Sequence, residues 1–251
     1  FYVLTGFLTD EEFMSFGWRF AFFAVMAVNV VSLFARFRLL TADFGADETL
    51  AQSSPFVEML RSQWRAVLLS AFLPLATYAL FHMVTVFPLA YGLLYSETPV
   101  TEILLLQLVG GGLAVATVML SGVLADHYSR RWVLTVSTAL IAALCLAIPA
   151  LESNPAIFIL PGFMLLGFSH GQAGAFSRGR YLREYAYSAS ALSTNLSWIF
   201  GAAFAPALGI WLTASFGKWA AALYLFSGVI VTITVLTILV RRPPAELGSR
   251  S

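Results

Sequence analysis

Charge is what this sequence has least of. Only 11% of its 251 residues are Asp, Glu, Lys or Arg, against about a quarter in an ordinary soluble domain. A chain that is 59% hydrophobic cannot cover a globule with solvated side chains, so a soluble domain is excluded and an integral membrane protein is expected. Cysteine is nearly absent as well. The one cysteine, Cys145, lies inside an apolar run, which excludes a disulfide framework or a thiolate metal site and leaves a packed core thiol. No cluster of metal ligands has a usable spacing. No acid sits deep in an apolar run, and the glycine triplet Gly110-Gly111-Gly112 lies within a run instead of opening a phosphate loop. Nothing here points to an enzyme, a cofactor, a metal site or nucleic acid. The first residues carry neither a basic leader nor a small-residue cleavage site, and there is no starting methionine. Residues 1–8 read as the last turns of a helix that begins upstream, which makes a fragment the expectation.

What is present is a succession of apolar runs separated by short polar turns. Residues 18–37 form a span that Trp18, Arg36 and Arg38 extend at the headgroups. A polar connection at 38–64 follows, with a short surface helix expected after Ser54-Pro55. Three hairpins of spans come next: 66–94 with 100–124, 132–151 with 156–176, and 188–216 with 219–240. The first run would be about 42 Å long at 1.5 Å per residue, more than a hydrocarbon core of roughly 30 Å. Kinks are therefore expected at Pro74 and Pro88. Of the fourteen Lys and Arg, this layout puts all but Arg19 and Lys218 on one side, the cytoplasmic one by the positive-inside rule. Trp18, Trp64, Trp132, Trp211 and Trp219 fall near span ends, as an aromatic belt requires.

The most informative connection is Gly122-Val-Leu-Ala-Asp126-His-Tyr-Ser-Arg130-Arg131. It resembles the cytoplasmic loop signature of the major facilitator superfamily, Gly-x-Leu-x-Asp-basic-x-Gly-Arg-basic, with His127 where the family has a fixed cation and Ser129 where it has a glycine. Two more stretches are similar to the metabolite:proton symporter group, which contains proline/betaine, α-ketoglutarate and citrate carriers. Gly17-Trp18-Arg19-Phe20-Ala21-Phe22 looks like the opening of its helix 6. Tyr187-Ser-Ala-Ser-Ala-Leu-Ser-Thr-Asn195, with Ile199-Phe200-Gly201 and Pro206, looks like its entry into helix 11. Ala186 stands where that group has a basic residue, and Tyr181-Leu182-Arg183 where it has Phe-Pro-Thr.

The resemblance implies an all-α integral membrane fold. Residues 1–37 would be the end of helix 5 and helix 6, 38–64 the central linker, 65–242 the C-terminal six-helix bundle and 243–251 a cytoplasmic tail. It implies a secondary transporter in a bacterial inner membrane. A small organic acid or zwitterionic solute would cross by alternating access, with protons, surrounding lipid and a missing N-terminal half as partners. A complete seven-span receptor or sensor is the alternative.

Polar residues inside the spans are few. Tyr78, His82 and Thr85 share a helix face at spacings of four and three. Ser169, His170 and Gln172 lie together in a later span, and Asn195 matches the family pattern. His82 and His170 lie at least about 9 Å from the nearer surface, where a permanent charge is costly and a neutral histidine is not. Tyr78, His82, His170, Gln172 and Asn195 are therefore candidates for contact with solute or proton, with interhelical hydrogen bonding as the competing role. Gly122, Asp126, Arg130 and Arg131 are candidates for a cytoplasmic gate, with Asp126 expected to cap the following helix or pair with an arginine. Ser190, Thr194, Ser197 and Gly201 form a small-residue stripe suited to close helix packing.

Overall fold

The computed structural model describes residues 2–43, 56–178 and 180–241, and these are helical with no strand among them, an all-α membrane fold. Six helical stretches are long and apolar enough to cross a membrane: Asp10–Phe34, Phe56–Thr85, Val100–His127, Arg130–Glu152, Ala186–Phe216 and Lys218–Arg241. Ala156–Arg178 adds 23 residues, about 34 Å of helix and enough for a crossing. The chain divides into two compact units, Phe1–Ser53 and Ser54–Ser251. The middle of the expected connection, residues 44–55, and the expected tail at 243–251 lie outside the described residues.

In the first unit α1 (Tyr2–Phe7) stops before Thr9. Thr9 N–H donates to Glu12 Oε2 at 3.0 Å, and Thr9 Oγ1 accepts from Glu12 N–H at 3.3 Å. This reciprocal cap satisfies two otherwise unpaired amides and starts α2 (Asp10–Glu12). The acids that interrupt the apolar pattern thus open a helix, at the end where negative charge is favoured. That helix continues through a π turn (Phe13–Gly17) into α3 (Trp18–Asp43). Phe20, Phe22, Phe23, Val25 and Met26 are all exposed within the unit, the all-round apolar surface of a helix that belongs in a membrane.

The second unit is a bundle. Its first span is built in three pieces, α4 (Phe56–Phe72), α5 (Leu75–Thr85) and α6 (Phe87–Tyr95), with interruptions beside Pro74 and Pro88 where the kinks were expected. The short surface helix expected after Pro55 is instead the start of α4, with Met59 and Gln63 already buried. Then come α7 (Val100–His127), α8 (Arg130–Leu144) with a 3-10 continuation (Cys145–Glu152), and α9 (Ala156–Arg178). A 3-10 turn (Arg183–Tyr185) leads to α10 (Ala186–Ser197), which passes through a π turn (Trp198–Ala203) into α11 (Ala205–Phe216). Last is α12 (Lys218–Arg241).

A helix break in a membrane strands backbone groups that lipid cannot satisfy. At Pro74 two hydroxyls from distant spans meet them. Ala76 N–H, in the first turn of α5, donates to Thr232 Oγ1 at 3.1 Å, and Ser197 Oγ donates to the Ala71 carbonyl at 2.7 Å. Close approach holds the spans elsewhere. At Gly167 a Cβ would lie 2.2 Å from the Ala114 carbonyl oxygen, so α7 and α9 cross at backbone contact. Gly201, in the π turn, likewise lies against Leu75 and Tyr78.

The apolar side chains fill two layers. One is centred on Leu80, Met83, Phe87, Ile141, Phe158 and Leu225. The other joins Met59, Val67, Leu134, Val235 and Leu239 to Tyr181 and Tyr185, which the α9–α10 connection inserts between spans. Tyr181 donates its hydroxyl to Ser193 Oγ at 2.9 Å, and Arg180 Nη1 donates to the Leu239 carbonyl at 2.6 Å. At the other end Lys218 Nζ meets Glu152 Oε2 at 2.6 Å.

Candidate functional site

Tyr78 is the centre of a cluster of rings contributed by three spans. It is buried on α5, where Gly201 leaves room for its Cβ. The Trp198 ring lies 4.6 Å from it and the His170 ring 5.6 Å, the latter edge to face. Phe81 packs edge-on to Trp198 at 5.3 Å and to His82 at 5.1 Å, and His82 lies 6.4 Å from Trp198. Separations of this kind suit the positive edge and negative face of aromatic rings. Trp198 opens the π turn that interrupts α10 and α11, and such turns recur at functional sites because they re-aim side chains.

The cluster offers few polar atoms. His82 Nδ1 is buried with no hydrogen-bond partner among the described residues, a state that costs free energy unless something else binds there. His170 stands exposed from the bundle on α9, about 12 Å of helix short of the end at Arg178. Its neighbour Ser169 is buried and accepts from the Thr77 hydroxyl at 3.0 Å, which fixes α9 against α5 at the level of the rings. Thr85 spends its hydroxyl on the Phe81 carbonyl at 2.7 Å.

Tyr78, His82 and His170 are thus brought together. Gln172 is not part of that group of rings: it is buried and donates from Nε2 to Ser121 Oγ at 3.3 Å, joining α9 to α7. Asn195 stands exposed on α10, three residues before Trp198. Trp198 was missed by the sequence reading, although it is a tryptophan in the middle of a span while five others lie near span ends. Among the described residues no three His, Cys, Asp or Glu converge as metal ligands.

Asp126 lies in the last turn of α7, exposed like Arg130 and Arg131, while Gly122 is half-buried. The cap on α8 comes from Ser129, not Asp126: Ser129 Oγ accepts from Trp132 N–H at 3.1 Å. The residue in the family's glycine position has an extended backbone, φ 174° and ψ 155°, which any residue adopts. Tyr128 stacks on Trp132 at 4.8 Å, and His127 packs edge-on to Tyr128 at 4.8 Å. The turn is therefore shaped by a cap and a stack of rings.

Comparison with known proteins extends the picture to the chain as a whole. Residues 3–193 match the family model described as Major Facilitator Superfamily. The Escherichia coli K12 inner membrane metabolite transport protein YhjE is 31% identical over 252 residues, 94% of this chain and 57% of that protein. The Salmonella typhimurium proline/betaine transporter is 31% identical over 82% of this chain and 44% of its own length. The E. coli K12 shikimate transporter is 27% identical over 89% of this chain and 54% of its own. The chain spans about half the length of these relatives. No solved structure matches it.

Proposed function

Since the chain belongs to the Major Facilitator Superfamily, resembles its metabolite:proton symporters and is a multi-pass inner membrane protein, we propose that it supplies one wall of a secondary transport path. The relatives named above are a metabolite transport protein, a proline/betaine transporter and a shikimate transporter, and none of them favours a receptor or sensor. A small organic acid or a zwitterion is the solute class, moved by alternating access with protons as the coupling ion. The other wall comes from a second half of the same fold, and lipid surrounds both. In this reading the protein is not an enzyme.

The observation that carries the proposal is the Tyr78, His82, His170 and Trp198 group, brought from three spans to one place. Its buried His82 Nδ1 and exposed His170 imidazole are the two imidazole groups of the cluster, beside the Tyr78 hydroxyl. A histidine there stays neutral until a proton or an anionic solute arrives, so it can respond to either. The turn containing Gly122, Asp126, Arg130 and Arg131 closes the cytoplasmic side as a gate. Uptake of radiolabelled proline, betaine and shikimate by the intact protein, measured against pH, tests this with His170→Gln and His82→Gln. Glutamine keeps hydrogen bonding and removes titration. The expected result is a flattened pH profile and about tenfold weaker apparent affinity in one of the two, the loss of one charge-assisted hydrogen bond. Full pH dependence and affinity in both variants would reduce the histidines to packing elements.

A further inference from the structure

The ring cluster holds no counter-charge for a cation. Every acid described in the bundle stands in a connection or within a turn of a helix end: Glu58, Glu97, Glu102, Asp126, Glu152 and Glu184. The bundle's own cations sit on other rings. Arg65 lies over Trp64 at 5.2 Å and Arg180 over Phe176 at 4.7 Å, and among the described residues neither Lys nor Arg covers Trp198. Tyr78 and Phe81 fix the Trp198 ring at 4.6 and 5.3 Å without covering all of it, since it is only half-buried. Exposed Asn195 stands one turn before Trp198 on the same helix face, and exposed His170 stands against Tyr78.

An ammonium brought to such a place is attracted by the negative face of the indole and by no carboxylate of this bundle. Its N–H groups then decide how well it binds. A primary ammonium arrives with three donors that water had satisfied, and ring faces are poor acceptors, so the donors are left underpaired at a cost. A quaternary ammonium has no donor to lose, and its methyl groups pack against the rings while they carry the charge. For a carboxylate the same place offers N–H donors, from the Asn195 carboxamide and the His170 imidazole.

We infer that Trp198 is a specificity-determining residue that selects a short zwitterion with a fully alkylated ammonium. The cation sits on the indole face and the carboxylate is left to His170 and Asn195. This deepens the transport reading and rests on it for the consequence in uptake, whereas the binding preference can be measured by itself.

Glycine, sarcosine, dimethylglycine and glycine betaine keep one carboxylate and one positive charge while their N–H donors fall from three to none. Tert-butylacetate has the shape of betaine without the positive charge. Saturation-transfer NMR titrations on the purified intact protein read the binding of each compound directly, weak binders included. In the parent, affinity rises along the methyl series by about tenfold in all, and betaine exceeds tert-butylacetate by about tenfold, the range of one desolvated cation–π contact. Trp198→Leu keeps an apolar side chain and removes the ring face, so betaine falls to within about twofold of tert-butylacetate. Trp198→Phe retains a weaker face and gives an intermediate ratio, which separates the effect from a loss of fold. Where Trp198→Leu binds neither compound, Trp198→Phe decides by the same ratio. A parent that binds glycine as tightly as betaine, or a ratio that both variants leave unchanged, overturns the inference and leaves the transport reading standing. Selectivity that is lost in Trp198→Leu while betaine uptake stays unchanged upholds the selection and counts against the ring cluster as the solute path.

Discussion

Thr232 and Asp126 separate two kinds of polar residue that look alike in a membrane sequence. Thr232 is buried and pays back a stranded amide at a helix break. Thr232→Val keeps the shape and removes the acceptor, so it should lower stability by about 1 kcal/mol, read as a shifted midpoint in detergent unfolding. Asp126 is exposed at the end of α7, far along the chain from the rings, and its substitution should spare the fold. For Asp126→Asn in the intact protein the expectation is a lower maximal uptake rate with nearly unchanged half-saturation. A raised half-saturation at full rate would move Asp126 from the gate to the binding site. Tyr78, His82 and His170 could be picked from the sequence because polar side chains are scarce in the spans. Gln172 was picked for the same reason, yet the structure spends its amide on Ser121. Scarcity identifies which residues lie in the membrane, but not which neighbouring span each one meets, and Trp198 was overlooked on that account.

Helix pairs show the same limit at the next scale. The triplet Gly110-Gly111-Gly112 is the conspicuous glycine feature of the sequence, but a Cβ at Gly111 or Gly112 meets nothing within 4 Å in this chain. The tight crossing of α7 and α9 depends on Gly167, an unremarkable glycine in the other helix. Gly167→Ala should therefore cost about 1–3 kcal/mol through overpacking, whereas Gly112→Ala should stay within about 0.5 kcal/mol. Thermal unfolding of the two variants in the same detergent compares them, and equal shifts would contradict the crossing. Helix starts were legible where a cap or a proline marks them. Ser129 was judged only against the family glycine, so its cap on α8 went unread. Ser129→Ala should destabilise by about 0.5–2 kcal/mol and Ser129→Gly by only a few tenths. The breaks beside Pro74 and Pro88 were anticipated because proline removes a backbone donor wherever it stands in a helix.

For the whole molecule the order of spans was readable because charge can lie in only a few places. The expected sorting of cationic side chains to one side is an orientation that can be measured in a Cys145→Ser background. A cysteine replacing Tyr128 should resist an impermeant maleimide in intact cells, while one replacing Glu97 should react. The reverse pattern would invert the layout. The long-range ties across the bundle could not be read in this way, since hydroxyls are spread over every span. One of those ties bears on how the protein is made. Ala76 and Thr232 are 156 positions apart, so at 5–20 residues per second a ribosome needs about 8–30 s to produce the second after the first. Until then the Ala76 amide waits among apolar side chains without its partner. The first span of this bundle to emerge is thus among the last to be completed, and a nascent chain stopped short of Thr232 would present chaperones and proteases with an unfinished helix break.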